Sequence, residues 1–208
     1  MLQITNYLKA YNGTTIVKID TLQLPKGMYW LQGQNGSGKS TFLKSIAGLI
    51  PCKGNIVLHN TSLQKQPIAY KQQISYQAAE AMLPPFLTGQ NIIDYYKYIK
   101  KDDTTKTNFV IENLGIKNFI NNKIGTYSSG MQKKVSLALA FIGNNSLILL
   151  DEPLTTLDTE SSNNFIQLIQ YFATQGTSFI ITSHQHFEYS NLKFNNYLLV
   201  QNNNLIIQ

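Results

Sequence analysis

The sequence predicts an α/β fold in which a core sheet is flanked by helices, with an antiparallel β segment at the start and a helical insert before the last strands. Three observations carry this. The loop Gly33-Gln34-Asn35-Gly36-Ser37-Gly38-Lys39-Ser40-Thr41 stands between an apolar run and a segment of helical period. Leu147-Ile148-Leu149-Leu150 is an aliphatic run that ends on two acids, Asp151 and Glu152. Beyond them an amphipathic helical stretch separates two further apolar runs, as in a βαβ unit.

Each element follows in order. Residues 2–6 and 14–19 read as strands, and Tyr11-Asn12-Gly13 between them carries a hairpin signal. Met28-Tyr29-Trp30-Leu31 is a buried strand before the glycine-rich loop, and residues 41–49 form a helix after it. Past the Gly54 turn, residues 55–58 and 73–76 are short strands. Ile92, Ile93, Tyr95, Tyr96 and Ile99 fall on one face of a helix over residues 88–99. Residues 104–113 and 129–142 supply two more helices, and 147–150 the next strand. Phe165, Ile166, Leu168, Ile169 and Phe172 mark an amphipathic helix between residues 159 and 173. Residues 178–182 are a buried strand, and 197–201 with 205–208 resemble a closing hairpin across an asparagine-rich turn. No repeat or linker divides the chain. One domain over residues 1–208 is expected, with roughly residues 78–135 as its helical insert.

At 208 residues the chain is long enough for one full α/β core. No window approaches the ~18 uninterrupted apolar residues of a membrane-spanning helix. The first residues lack the basic flank and apolar core of a secretory signal. The single cysteine, Cys52, suits a reducing compartment, so a cytosolic or peripheral protein is expected. The net charge of +6 comes from lysine alone, since there is no arginine. No basic run exceeds Lys100-Lys101 or Lys133-Lys134, and neither is interleaved with aromatics. That favours a solvated, mildly basic surface over a nucleic-acid or phospholipid site.

The loop at Gly33–Thr41 matches the phosphate-binding pattern G-x-x-x-x-G-K-[ST] without a mismatch. Its glycines let successive backbone N–H groups turn toward phosphate oxygens, and the helix start adds positive partial charge. Lys39 is placed to reach the β- and γ-phosphates, and the Ser40 hydroxyl to ligate Mg²⁺. Asp151, at the end of its buried strand, is positioned to hold the Mg²⁺ shell, and Glu152 to accept a proton from the attacking water. A nucleoside triphosphate is therefore the expected ligand.

The segment Tyr127-Ser128-Ser129-Gly130-Met131-Gln132-Lys133-Lys134-Val135 lies twenty-one residues before Asp151, counted from Gly130. With both acidic and phosphate-loop motifs, it resembles the signature of ATP-binding cassette (ABC) proteins, and the likeness covers essentially the whole chain. The resemblance implies a RecA-like P-loop NTPase core and an ATPase that uses ATP and Mg²⁺. Two such chains, identical or related, would close head to tail around ATP and drive a separate membrane permease from the cytoplasmic face. Ser128, Ser129 and Gly130 would then contact the nucleotide held by the partner. The resemblance also implies a D-loop ending at Asp158, a switch histidine at His184 and an adenine-stacking aromatic at Tyr11. The small size is similar to that of exporter-type cassettes. A soluble ABC ATPase acting on nucleic acid or ribosomes is the alternative.

The chain departs from the family at several positions. Tyr127 stands for the usual leucine and Ser129 for the first glycine of the signature. Ala79 occupies the place of the glutamine that bridges the metal site to the helical lobe, and Gln77 or Glu80 is expected to substitute, Gln77 preferentially.

Overall fold

A computed structural model of the chain describes residues 1–102, 104–183 and 192–208. Its strands are β1 (Leu2–Tyr11), β2 (Thr14–Leu24), β3 (Met28–Gln32), β4 (Lys53–Leu58), β5 (Thr61–Ser62), β6 (Ile74–Gln77), β7 (Leu147–Asp151), β8 (Ser178–Thr182), β9 (Asn196–Gln201) and β10 (Asn204–Ile207). Its helices are α1 (Lys39–Ile46), α2 (Pro67–Gln72), α3 (Gly89–Lys100), α4 (Thr104–Asn113), α5 (Ser129–Phe141) and α6 (Thr159–Thr174).

All these strands join one sheet in the order β5-β4-β1-β2-β10-β9-β3-β8-β7-β6. The β3, β8, β7 and β6 pairings are parallel, whereas β1 pairs antiparallel with both β2 and β4. The two parts are continuous through the β9–β10 hairpin, whose Asn204 pairs with Lys18 of β2.

Side chains alternate across this sheet, so the central strands β3, β7 and β8 feed two cores. On one face Tyr29, Leu31, Leu147, Leu149 and Ile180 pack with Ile4, Leu22 and Ile56 around Phe42, Leu43 and Ile46 of α1. On the other, Met28, Ile148, Leu150, Phe179 and Ile181 meet Val135, Ala138 and Phe141 of α5 and Phe165, Leu168 and Phe172 of α6. Strands β7 and β8 are buried at every residue, which explains their unbroken apolar run.

Helix α1 is anchored by Phe42, fully buried and edge-on to Tyr7 with ring centroids 5.6 Å apart. The Tyr7 hydroxyl donates to Ser45 Oγ (3.0 Å), which in turn donates to Thr41 O (2.9 Å). Phe42→Ala removes most of that anchor. It is expected to lower unfolding stability by about 3–5 kcal/mol, read as a lower denaturant midpoint at unchanged slope.

Two features go beyond what the sequence pattern shows. The apolar face of α3 is only partly packed: Ile92 and Ile93 are buried, but Tyr95 and Ile99 are 60% and 45% exposed. Helical period shows which residues share a face, not whether another element of the same chain covers it. The sequence also passes over α2 and β5. With six and two residues they are too short to display a period, and α2 buries Tyr70 alone.

The departure at Tyr127 has a structural reason. Its buried hydroxyl donates to Phe119 O (2.9 Å) and accepts from Gly89 N–H (3.2 Å), tying the start of α3 to the segment before α5. A leucine can fill the volume but not make these bonds.

Candidate functional site

The phosphate-loop geometry grows from glycine at two positions. Gly38, the N-cap of α1, has φ 105°, and a Cβ there would lie 2.7 Å from Val17 Cγ2 and 2.8 Å from Ile16 Cγ2. Gly33 has φ 150°, and its Cβ would lie 2.6 Å from Ser37 Oγ and 2.8 Å from Val200 O. No side chain caps α1, so its first-turn N–H groups stay open toward the loop. Among the described residues the buried Ser37 hydroxyl likewise has no hydrogen-bond partner.

Lys39 is 8% exposed, and its Nζ donates to Gly33 O (2.7 Å) and Gln34 O (3.1 Å), which hold it across the loop. Burial pushes its ammonium below the ordinary lysine range, while the charges of Glu152 and Asp151 pull the other way. Lys39, Ser40, Thr41, Asn35, Gly36, Gly38, Asp151 and Glu152 line one cavity of about 270 Å³. A larger cavity of about 700 Å³ adjoins it, between residues 33–37 and 199–203.

The two acids are held differently. Asp151 is buried; its Oδ1 accepts from Thr182 Oγ1 (2.9 Å) and its Oδ2 from the Tyr76 hydroxyl (3.1 Å). A carboxylate has capacity beyond these two bonds, so it remains able to accept from metal-bound water. Glu152 has a left-handed backbone, φ 47°, and its N–H donates to Thr182 Oγ1 (2.9 Å). One threonine thus ties both acids to β8.

The donors facing this cavity are the Ser40 hydroxyl and the carboxylate oxygens, which suit a hard divalent cation. Among the described residues, no group of three or more His, Cys, Asp or Glu could hold a metal by itself.

Not every predicted residue joins this cavity. Gln77 of β6 is 1% exposed, donates through Nε2 to Ala78 O, and does not line it; its buried Oε1 has no partner among the described residues. The β6 residue that reaches the acids is Tyr76, which the sequence did not single out. Burial raises its phenol above the ordinary range, and the neighbouring Asp151 charge adds to this. Period-two alternation fixes that Tyr76 and Gln77 face opposite ways but not which faces the site; the β6–β7 register decides that.

Ser128 caps α5, its hydroxyl accepting from Met131 N–H (3.2 Å), and Ser129 and Gly130 follow it. None of the three lines the cavity of their own chain. A Cβ on Gly130 would lie 3.1 Å from Thr156 O, so the signature segment packs against residues leading to Asp158. Asp158 caps α6 with both carboxylate oxygens, accepting from Ser161 N–H (2.7 Å) and Ser161 Oγ (2.8 Å). These bonds hold its carboxyl below the usual range. Tyr11 is 48% exposed at the end of β1, with Lys9 Nζ 4.3 Å from its ring centroid. His184 lies outside the described residues.

The ABC transporter family matches residues 18–155 of this chain. The linearmycin resistance ATP-binding protein LnrL of Bacillus subtilis is 33% identical over 190 residues, 88% of this chain and 61% of LnrL. The ABC transporter ATP-binding protein NatA of the same organism is 33% identical over 171 residues, 79% of this chain and 70% of NatA. The chain therefore spans under two thirds of LnrL's own length. Among solved structures, a dimeric ATP-binding cassette in a post-hydrolysis state bound to ADP and Pi superposes with a TM-score of 0.85 at 20% identity, covering 100% of this chain and 98% of that one. At that identity the likeness concerns the fold.

Proposed function

This chain belongs to the ABC transporter family, and from that premise we propose that it is an ATP-binding and ATP-hydrolysing subunit that powers a separate membrane permease. The observation that carries the reading is the single cavity bringing Lys39 and Ser40 of the phosphate loop against Asp151 and Glu152. Residues 33–41 and the first turn of α1 bind the triphosphate, Lys39 at its β- and γ-phosphates. Ser40 and Asp151 would hold Mg²⁺, which would supply positive charge to offset the charge developing on the phosphates. Glu152 accepts the proton of the attacking water, and His184 supports the γ-phosphate end. Tyr11 stacks on adenine.

The site is incomplete within one chain in this reading. Ser128, Ser129 and Gly130 close it from a second copy or a related cassette, with Asp158 beside them, so ATP drives head-to-tail dimerisation. Support comes from their position outside the chain's own cavity and from the dimeric state of the similar cassette. Residues 1–208 form one cassette in which residues 78–135 are the helical lobe.

A membrane permease partner is supported by an open groove of about 340 Å³ whose lining includes Leu49, Tyr76, Met82, Leu83 and Tyr96. Met82 in that lining is 90% exposed, and an exposed apolar side chain at a groove is of the kind that marks interaction sites. Among the described residues no helix is long and apolar enough to cross a membrane. In this reading the permease is another polypeptide and the chain works at the inner membrane face. The nucleic-acid alternative gains no support from the relatives.

The test is co-expression with candidate permeases followed by affinity purification through this chain. Stoichiometric recovery of one membrane permease, with ATPase activity per chain rising with protein concentration, is the expected result. Recovery of ribosomes or nucleic acid in its place would overturn the transport reading.

A further inference from the structure

Lys133, in the second turn of α5, is 2% exposed, and no ion pair among the described residues includes it. Its Nζ instead donates to two main-chain oxygens, Ala79 O (2.7 Å) and Glu152 O (2.8 Å). A buried ammonium satisfied by carbonyls is an unusual use of charge. Both carbonyls belong to segments that matter to the reaction. The Glu152 carbonyl also accepts from Thr155 Oγ1 (2.8 Å), so its two lone pairs are both engaged. At the other end of the residue, its N–H is held by Thr182 Oγ1.

The consequence is conformational. A glutamate at φ 47° occupies a region that side-chain-bearing residues leave unless surroundings hold them there. Here the holding bonds come from α5 at the carbonyl and from β8 at the N–H. The direction of a side chain follows from its backbone angles, so fixing this peptide from both sides aims the Glu152 carboxylate. Burial pushes the Lys133 ammonium down to about 8, while the charges of Asp151 and Glu152 pull the other way.

We infer that Lys133 is a positioning residue for hydrolysis: it locks the peptide of Glu152 from the signature helix and anchors that helix to the main chain at Ala79. The second bond bears on the missing glutamine. Ala79 has no side-chain donor or acceptor, yet its carbonyl is tied to α5, and through Lys133 to Glu152. The link between the helical segment and the acids therefore runs through the Lys133 side chain and backbone oxygens. This inference rests on Glu152 being the base.

The experiment is a double-mutant cycle with Mg·ATP. Lys133→Met and Thr155→Val are each made alone and combined with Glu152→Gln, with kcat, the ATP dissociation constant and the melting temperature measured for all. Lys133→Met is expected to lower kcat ~10–100-fold with ATP affinity changed less than about 3-fold, and Thr155→Val to lower kcat by a smaller factor in the same manner. In the Glu152→Gln background neither is expected to lower residual turnover further, because the group they aim is gone. Thr155 is exposed, so its variant reads the same carbonyl even if Lys133→Met fails to fold. Equal losses in both backgrounds, or lost ATP affinity at unchanged kcat, remove the role of Lys133 and leave the base standing. Normal turnover by Glu152→Gln alone removes the base and the positioning role with it.

Discussion

Glu152→Gln is expected to bind Mg·ATP with near-native affinity, to hydrolyse it ~10²–10⁴-fold more slowly, and to accumulate as an ATP-bound dimer. The amide keeps the size and shape of the carboxylate, and three bonds among the described residues run to this residue's backbone. Thr182 Oγ1 accepts from its N–H, while Lys133 and Thr155 donate to its carbonyl. Geometry is thus preserved, and the loss is confined to the capacity to accept a proton. Asp151, one residue earlier, keeps its bonds to Thr182 and Tyr76, so the oxygen donors beside the phosphates are untouched. Binding and turnover therefore separate. Steady-state ATPase assays and light scattering with and without ATP check both halves. Turnover within a few-fold of native, with no ATP-dependent dimer, would remove Glu152 from the role of base.

Lys39→Ala acts at the earlier step. Nζ of Lys39 already donates to Gly33 O and Gln34 O, so the side chain is held over the loop before any nucleotide arrives. A charge-assisted bond to phosphate contributes about 1.5–3 kcal/mol, or roughly a 10–100-fold change in affinity. Truncation also removes the Lys39 donor from Gly33 O and Gln34 O, although Gln34 O keeps the N–H of Ser37 (3.1 Å), so the loop loses one of its internal ties. The expected result is a 10–100-fold or greater rise in the ATP dissociation constant, with hydrolysis falling in parallel at sub-saturating ATP. Calorimetric titration with Mg·ATP measures it. Unchanged affinity would mean that backbone N–H groups alone bind the phosphates. The two variants also distinguish themselves by dimerisation, since Lys39→Ala loses the ligand that drives it and Glu152→Gln traps it.

Much of the fold was legible because its strands and helices carry strong local signals. The run Leu147–Leu150 must be buried on both faces, and the structure buries all of it. Residues 178–182 were read as a buried strand and form β8 over that span. The helix over residues 104–113 is α4, and the Asn12-Gly13 hairpin takes the positive φ angles, 48° and 80°, that such a turn demands. Phosphate-loop and acid residues were legible for a related reason, since their chemistry depends on spacing within a few residues of one chain.

What the sequence left open involves partners far along the chain or absent from it. Tyr76 reaches Asp151 across 75 residues only because β6 lies next to β7 in the sheet, an adjacency no local pattern encodes. Lys133 looked like half of a surface pair with Lys134; it is buried because α5 packs over β6 and β7, where two main-chain oxygens satisfy it. Tyr95 and Ile99 repeat at helical spacing as core residues do, yet the fold leaves them in solvent. The sequence by itself determined all the described elements except α2 and β5, and it showed the pattern of the loop Gly33–Thr41 and of the acids Asp151 and Glu152, because each depends on residues near one another in the chain. The tertiary structure alone decided strand order, which face of β6 meets the acids, and the left-handed setting of Glu152. Those depend on hydrogen bonds and packing between distant segments, whose geometry exists only once the sheet has closed around them.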